Sequence, residues 1–130
     1  MNTPDPIKNG YMLILDVPPS SNRYWRSYGH MKHPVRSPEA LAYIEMVGWK
    51  CLEAGIIEPL AGDLAFHITW YRKAKQGDLS NRLKVIEDSL QGYAYEDDKQ
   101  IVEIHAYRKE DKKNPRIEIE IAQIGVLTNK

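Results

Sequence analysis

The chain of 130 residues has a single cysteine, Cys51. An internal disulfide is therefore excluded, and no paired CxxC exists for a thiolate metal site. Cys51 falls in a predicted helix, where it reads as a buried, inert thiol; a reducing cytoplasm suits such a chain. No apolar run approaches the ~20 residues that a membrane helix needs. The opening MNTPDPIKNG lacks the charged and apolar blocks of a signal peptide, and its Pro- and Asn-rich residues 1 to 10 are expected to fray. There is no glycine-rich phosphate loop, no HExxH and no nucleophile elbow, so nucleotide binding of the GxG type has no support. Net charge is absent too. Lys and Arg number 18, matched by 18 Asp and Glu, which argues against a generic basic nucleic-acid binder. Repeats, low-complexity tracts and linkers are also missing.

What is present is ordinary for one globular domain spanning 1–130: 42% hydrophobic and 28% charged residues. The charge, however, is segregated. From Asn22 to Arg36 stand Arg23, Arg26, Lys32 and Arg36, with His30 and His33 and no acid. From Arg72 to Lys84 stand Arg72, Lys73, Lys75, Arg82 and Lys84 against one acid, Asp78. From Glu87 to Asp98 the balance reverses. A balanced total can thus hide a basic surface beside an acidic pocket, although solvated loops give the same pattern.

Along the chain, Tyr11 to Val17 reads as a buried strand ended by Pro18 and Pro19. A long loop to Arg36 follows. Its aromatics Tyr24, Trp25 and Tyr28 lie between arginines, an interleaving that can stack bases and clamp phosphates; the plainer reading is that Tyr24 and Trp25 fold the loop onto the core. Ser37, Pro38 and Glu39 start a helix predicted to run from Pro38 to Ala54, with Leu41, Ile44, Val47, Cys51 and Ala54 as its apolar stripe and Gly55 as its stop. Trp49 is expected to pack. Leu64 to Tyr71 reads as a strand, in which His67 is expected to be structural. Ser80 or Asp78 caps the next helix, on which Leu83, Ile86 or Glu87, and Leu90 repeat at helical intervals before Gly92. Gln100 to Arg108 and Arg116 to Ile121 alternate with period two, which predicts an antiparallel hairpin, with Glu118 and Glu120 on a wet face. The expected fold is α/β (α+β), one mixed sheet with two helices packed on it.

The stretch Gly77 to Gln100, GDLSNRLKVIEDSLQGYAYEDDKQ, carries the chemistry. Asp78, Ser80, Asn81 and Lys84 open its helix, and Glu96, Asp97 and Asp98 stand at the mouth of a strand. Singly these are caps, turn residues and an exposed lysine. Together they imply more. Two carboxylates ~4 Å apart repel by about 4 kcal/mol at an effective dielectric near 20. A hard divalent cation such as Mg2+ offsets this and prefers oxygen ligands. Lys84, six residues after Asp78, can meet charge developing on a phosphodiester.

PPSSNRYWR before a capped helix, then GDLSNRLKVIEDSLQG, then EDDKQI, resembles the RusA family of Holliday-junction resolvases, common in phages and prophages, over roughly Leu13 to Arg108. The resemblance implies a small α/β homodimer that cuts four-way DNA junctions with Mg2+ or Mn2+. Carried over by position, it implies catalytic roles for Asp78, Ser80, Asn81, Lys84 and Asp98. It implies metal ligation by Asp78 and Asp98, by Ser80 through water, and less directly by Asp97. It implies DNA contacts from Asn22, Arg23, Tyr24, Arg26, Arg36, Arg72, Lys73, Lys75 and Arg82. One position departs: Ser80 stands where the family motif commonly has a second aspartate. Asp88 lies about two helical turns beyond Ser80, a poor place for a substitute. The alternative expectation is a junction-binding relative whose cleavage is weak or lost through Ser80.

Overall fold

The computed structural model describes residues 10–30, 33–74 and 77–124. Lys32, Lys75 and most of the stretch expected to fray lie outside them; Gly10 already belongs to the first strand. In chain order the elements are β1 (Gly10–Leu15), α1 (Ser21–Tyr24), β2 (Trp25–Arg26), β3 (Val35–Arg36), α2 (Pro38–Glu53), β4 (Leu64–Arg72), α3 (Leu79–Leu90), a 3-10 turn (Asp98–Gln100), β5 (Ile101–Glu110) and β6 (Arg116–Gln123). The main sheet is mixed, in the order β1-β6-β4-β5. The fold is therefore α+β as expected, with a third helix, the single turn α1, and a small β2-β3 ribbon inside the long loop.

The expected hairpin does not form. β4 lies between β5 and β6, pairing parallel with the first and antiparallel with the second. Period-two alternation reports which face a side chain takes, not which strand lies beside it. Ile117, Ile119 and Ile121 of β6 are fully buried and need neighbours on both sides, which β1 and β4 supply. β5 is reached from β4 through α3, a βαβ crossover, and ends as an exposed edge. The link to β6 passes over the end of β4, where the Asp111 N–H donates to the Arg72 carbonyl at 2.9 Å.

The core fills one face of this sheet. Leu13 and Leu15, Phe66, Ile68 and Trp70, and the three isoleucines of β6 point to the same side. Tyr43, Val47 and Cys51 of α2 and Ile86 and Leu90 of α3 cover them. The buried stripe of α2 is rotated from the expected one: Ala40 and Tyr43 face inward, while Leu41 is exposed. Burial pushes the Cys51 thiol up to about 11, so it is inert as read. Trp49 does not pack. It is 63% exposed and borders a shallow apolar groove of about 350 Å3 with Leu52, Ile57 and Tyr93. The opposite sheet face carries Glu118, Glu120 and His67, which stacks on His105 at 4.5 Å.

Ser37 caps α2 as read, accepting from the Ala40 N–H at 3.0 Å, with Pro38 at the first helical position. Its hydroxyl also donates to the Arg23 carbonyl at 2.6 Å. One serine thus starts α2 and fastens α1 to it.

Candidate active site

The site is built around α3. Gly77 precedes it at φ 97, in the left-handed region, and a Cβ there would lie 2.7 Å from Trp70 Cη2. Asp78 is the N-cap and accepts from the Ser80 N–H at 3.0 Å. Arg82 lies over the Trp70 ring at 4.9 Å and donates to the Pro18 carbonyl. It thereby fastens the segment after β1 to the start of the helix. Ser20, Ser21 and Asn22 then line a cleft of about 110 Å3 with Asp78, Asn81 and Arg82. The SSN and DLSN stretches, remote in sequence, meet here.

The far end of α3 positions the second acidic group. Gly92 lets the chain turn back at φ 95. Tyr95 is fully buried and its hydroxyl donates to the Glu87 carbonyl at 2.6 Å. Gln100 then locks the return: its Oε1 accepts from the N–H groups of Glu96 and Asp97, and its amide donates to the Leu60 and Gly62 carbonyls, both at 2.9 Å. Asp97 is occupied as a cap, accepting from the Lys99 N–H. Asp98 is left exposed at the first position of the 3-10 turn.

The charges of Asp98 and Lys84 both act on Glu87, which the sequence marks only as a helix-repeat position. Burial first, and then the negative charge of Asp98, push the Glu87 carboxyl above its usual range, while Lys84 pulls it back. The signal available in the sequence was spacing: Glu87 lies three residues after Lys84, on the same side of the helix.

Among the described residues no three Asp, Glu, His or Cys side chains are gathered closely enough to enclose a metal by themselves. The donor chemistry nonetheless fits a hard cation. The Asp98 and Glu87 carboxylates accept no hydrogen bond and close no ion pair with the described residues, and Asp78 commits one oxygen to its cap. Mg2+ typically takes one or two protein carboxylates and fills its octahedron with water and substrate phosphate.

The basic residues divide into two groups. Tyr24 is fully buried, so its ring offers no stacking surface; the plainer reading holds for it. Its hydroxyl donates to Asp88 Oδ2 at 2.6 Å, and Arg36 grips the same carboxylate through two bonds of 2.7 and 2.9 Å. Asp88 is therefore spoken for inside the scaffold. Arg36 lies over Trp25, which packs edge-on against Tyr24. Arg72 is buried and pairs with Glu110 at 3.2 Å. These contacts, with those of Arg82, are structural. Arg23 is exposed but paired with Glu39 at 2.6 Å. Asn22, Arg26 and Lys73 are exposed, and Arg26 has no ion-pair partner among the described residues.

A mixed sheet with helices on one face defines a small α+β protein. The family model of endodeoxyribonuclease RusA matches residues 16–122, and the chain belongs to that family. Membership implies an endonuclease of the Holliday-junction-resolving kind. A search of curated proteins finds no match.

Proposed function

We propose that this chain is a metal-dependent, structure-selective endodeoxyribonuclease that resolves four-way junctions and other branched DNA by symmetric paired nicks in recombination and repair. The observation that carries the reading is the loop leading to Asp97 and Asp98, bolted through the Tyr95 hydroxyl to the helix that carries Asp78 at its cap and Lys84, inside a chain of this family. Asp78 and Asp98 would hold Mg2+ or Mn2+, with Ser80 contributing through water. The bound cation supplies polarisation of the phosphodiester and a water acidified toward neutral pH. Lys84 places an ammonium where negative charge develops on the phosphorus oxygens or the leaving oxygen. Asn81, beside Asp78 in the cleft, orients a water or the Asp78 carboxylate. Asn22, Arg23, Arg26 and Lys73 track phosphates, which positions DNA without reading its sequence. Two nicks related by two-fold symmetry call for two equal sites, and an isologous homodimer supplies them.

The test is incubation of the purified protein with a labelled four-way junction and Mg2+ or Mn2+. Paired symmetric nicks are expected, and Asp98→Asn should abolish them. Absence of nicks in wild type, or their persistence in Asp98→Asn, would sink the reading. Ser80 motivates a second reading, a junction binder with little cleavage. Binding without cutting, with cutting gained in Ser80→Asp, would favour it.

A further inference from the structure

The indole N–H of Trp70 is a buried donor with no acceptor among the described residues. The residue is 2% exposed, and its ring is held in place. Gly77, at the start of α3, leaves no room for a Cβ beside the ring edge, and the guanidinium groups of Arg82 and Arg72 lie over the ring at 4.9 and 5.9 Å. A buried donor left alone loses its hydration with nothing in return, and native proteins seldom leave one so. An indole N–H only donates, so its missing partner is an acceptor.

Trp70 lines a groove of about 480 Å3 whose walls include Asp16, Arg72, Lys73 and Arg82. Arg72 is paired with Glu110 at 3.2 Å. Lys73 and Arg82 close no ion pair among the described residues, with Asp16 or any other acid. The groove thus gathers uncompensated positive charge around a donor that lacks an acceptor. The bond to the Pro18 carbonyl takes one N–H of Arg82 and fixes its guanidinium at the groove, leaving other donors of the fork. Arg82 is also a wall of the cleft that contains Asp78, Asn81 and Asn22. One side chain therefore separates the groove from the acid at the α3 cap.

We propose that this groove is an anion subsite that holds a backbone phosphate of the DNA strand passing Asp78, with the Trp70 N–H donating to a phosphate oxygen and with Lys73 and Arg82 neutralising its charge. The inference rests on the function proposed above and deepens it by fixing one contact. A phosphate oxygen is the acceptor that the indole lacks, and guanidinium and ammonium groups are its ordinary partners. A water would satisfy the N–H but leave the two cations uncompensated. The indole nitrogen is closed to solvent, so binding includes a shift of the flanking side chains that admits the oxygen. Such a contact reads no base; it sets the register of the strand against the α3 cap.

The test follows the indole N–H resonances of the three tryptophans by NMR, without metal, as a four-way junction or inorganic phosphate is titrated in. Trp70→Phe assigns the Trp70 signal; if that variant does not fold, Trp25→Phe and Trp49→Phe assign it by elimination. The signal is expected to move downfield with the junction in wild type and to move less in Lys73→Ala. Movement with phosphate as well is the same chemistry and supports the subsite. Gel shifts are run beside the spectra. Lys73→Ala should lower the log–log salt slope by about 0.9. Trp70→Phe removes a neutral donor, so it should weaken junction binding about tenfold at an unchanged slope. A junction that binds and is cut while the Trp70 signal stays still, or binds Trp70→Phe as tightly as wild type, would overturn the subsite and leave the nuclease reading intact. A signal that follows phosphate in a protein that binds no junction would keep an anion site but overturn its assignment to DNA, together with the nuclease reading. No junction binding and no response to phosphate would overturn both.

Discussion

Asp88 gathers three parts of the chain at one carboxylate: α3, the β3 arginine Arg36 and the α1 tyrosine Tyr24. Burial alone pushes its carboxyl up, but the hydrogen bonds from Arg36 and Tyr24 outweigh this and hold it below the usual range. Asp88→Asn should therefore destabilise the fold by about 1.5–3 kcal/mol, the span for charged hydrogen bonds. The sign of the pH dependence follows from the depressed pKa. The contribution is complete above the unfolded value near 4 and is lost as pH falls through the lower folded value. Denaturant melts of both proteins should thus converge in acid below about pH 4; a gap that is constant from pH 7 to pH 3 would contradict the assignment. Gly48 illustrates a second kind of constraint. A Cβ there would lie 2.7 Å from Cε1 and Cζ of Tyr93. Gly-to-Ala inside a helix gains about 1 kcal/mol, whereas overpacking costs about 1–3 kcal/mol. Gly48→Ala alone should be neutral or destabilising. In a Tyr93→Ala background the same change should stabilise by about 1 kcal/mol, a difference that a thermal-melt cycle reads directly.

At the scale of elements, α3 is the working part. Under the proposed function its start carries Asp78, its middle Lys84 and the loop after its end Asp98. Lys84→Ala should leave α3 intact, since the residue is exposed and alanine favours helix. The expected loss is about 100-fold in cleavage rate, with junction affinity changed far less; single-turnover assays beside gel shifts separate the two. The helix and its cap were legible in the sequence, because Gly77, Asp78 and Gly92 are punctuation with a local cause. Glu87 was not legible. Its half-burial and the Asp98 charge acting on it depend on where the loop from Gly92 to Gln100 returns, and that is set by long-range bonds from Gln100 to Leu60 and Gly62. The β5-β6 hairpin failed for a related reason. Alternation and a turn-rich link are local, while the insertion of β4 between the two strands is a property of the whole sheet. The α2 stripe was misplaced by one position because Leu41 looks like core until Tyr43 is seen reaching the Asp16 carbonyl at 2.6 Å. Trp49 looked like core for its size alone.

At the scale of the molecule, the segregated charge resolves into scaffold and surface. Arg36, Arg72 and Arg82 are spent on Asp88, Glu110 and the Pro18–Trp70 contact. Arg26, Lys73 and Lys84, with Arg23 paired to Glu39, are exposed among the described residues. Arg26→Ala should weaken junction binding and reduce the log–log salt slope by about 0.9, the contribution of one phosphate contact on B-DNA. Arg72→Ala should act mainly on stability. A slope unchanged by Arg26→Ala would remove that residue from the DNA footprint. No helix among the described residues is long and apolar enough to cross a membrane. The strand order has one more consequence. No two sheet neighbours are joined by a tight turn: β1 finds its partner near residue 120, and β4 is completed on one side only by that same last strand. During synthesis, then, the chain through about residue 123 must leave the ribosome before the sheet can close. Until that moment β1 and one edge of β4 are open to mispairing or chaperone capture, and closure belongs to the slower, millisecond-to-second regime of folds dominated by distant contacts.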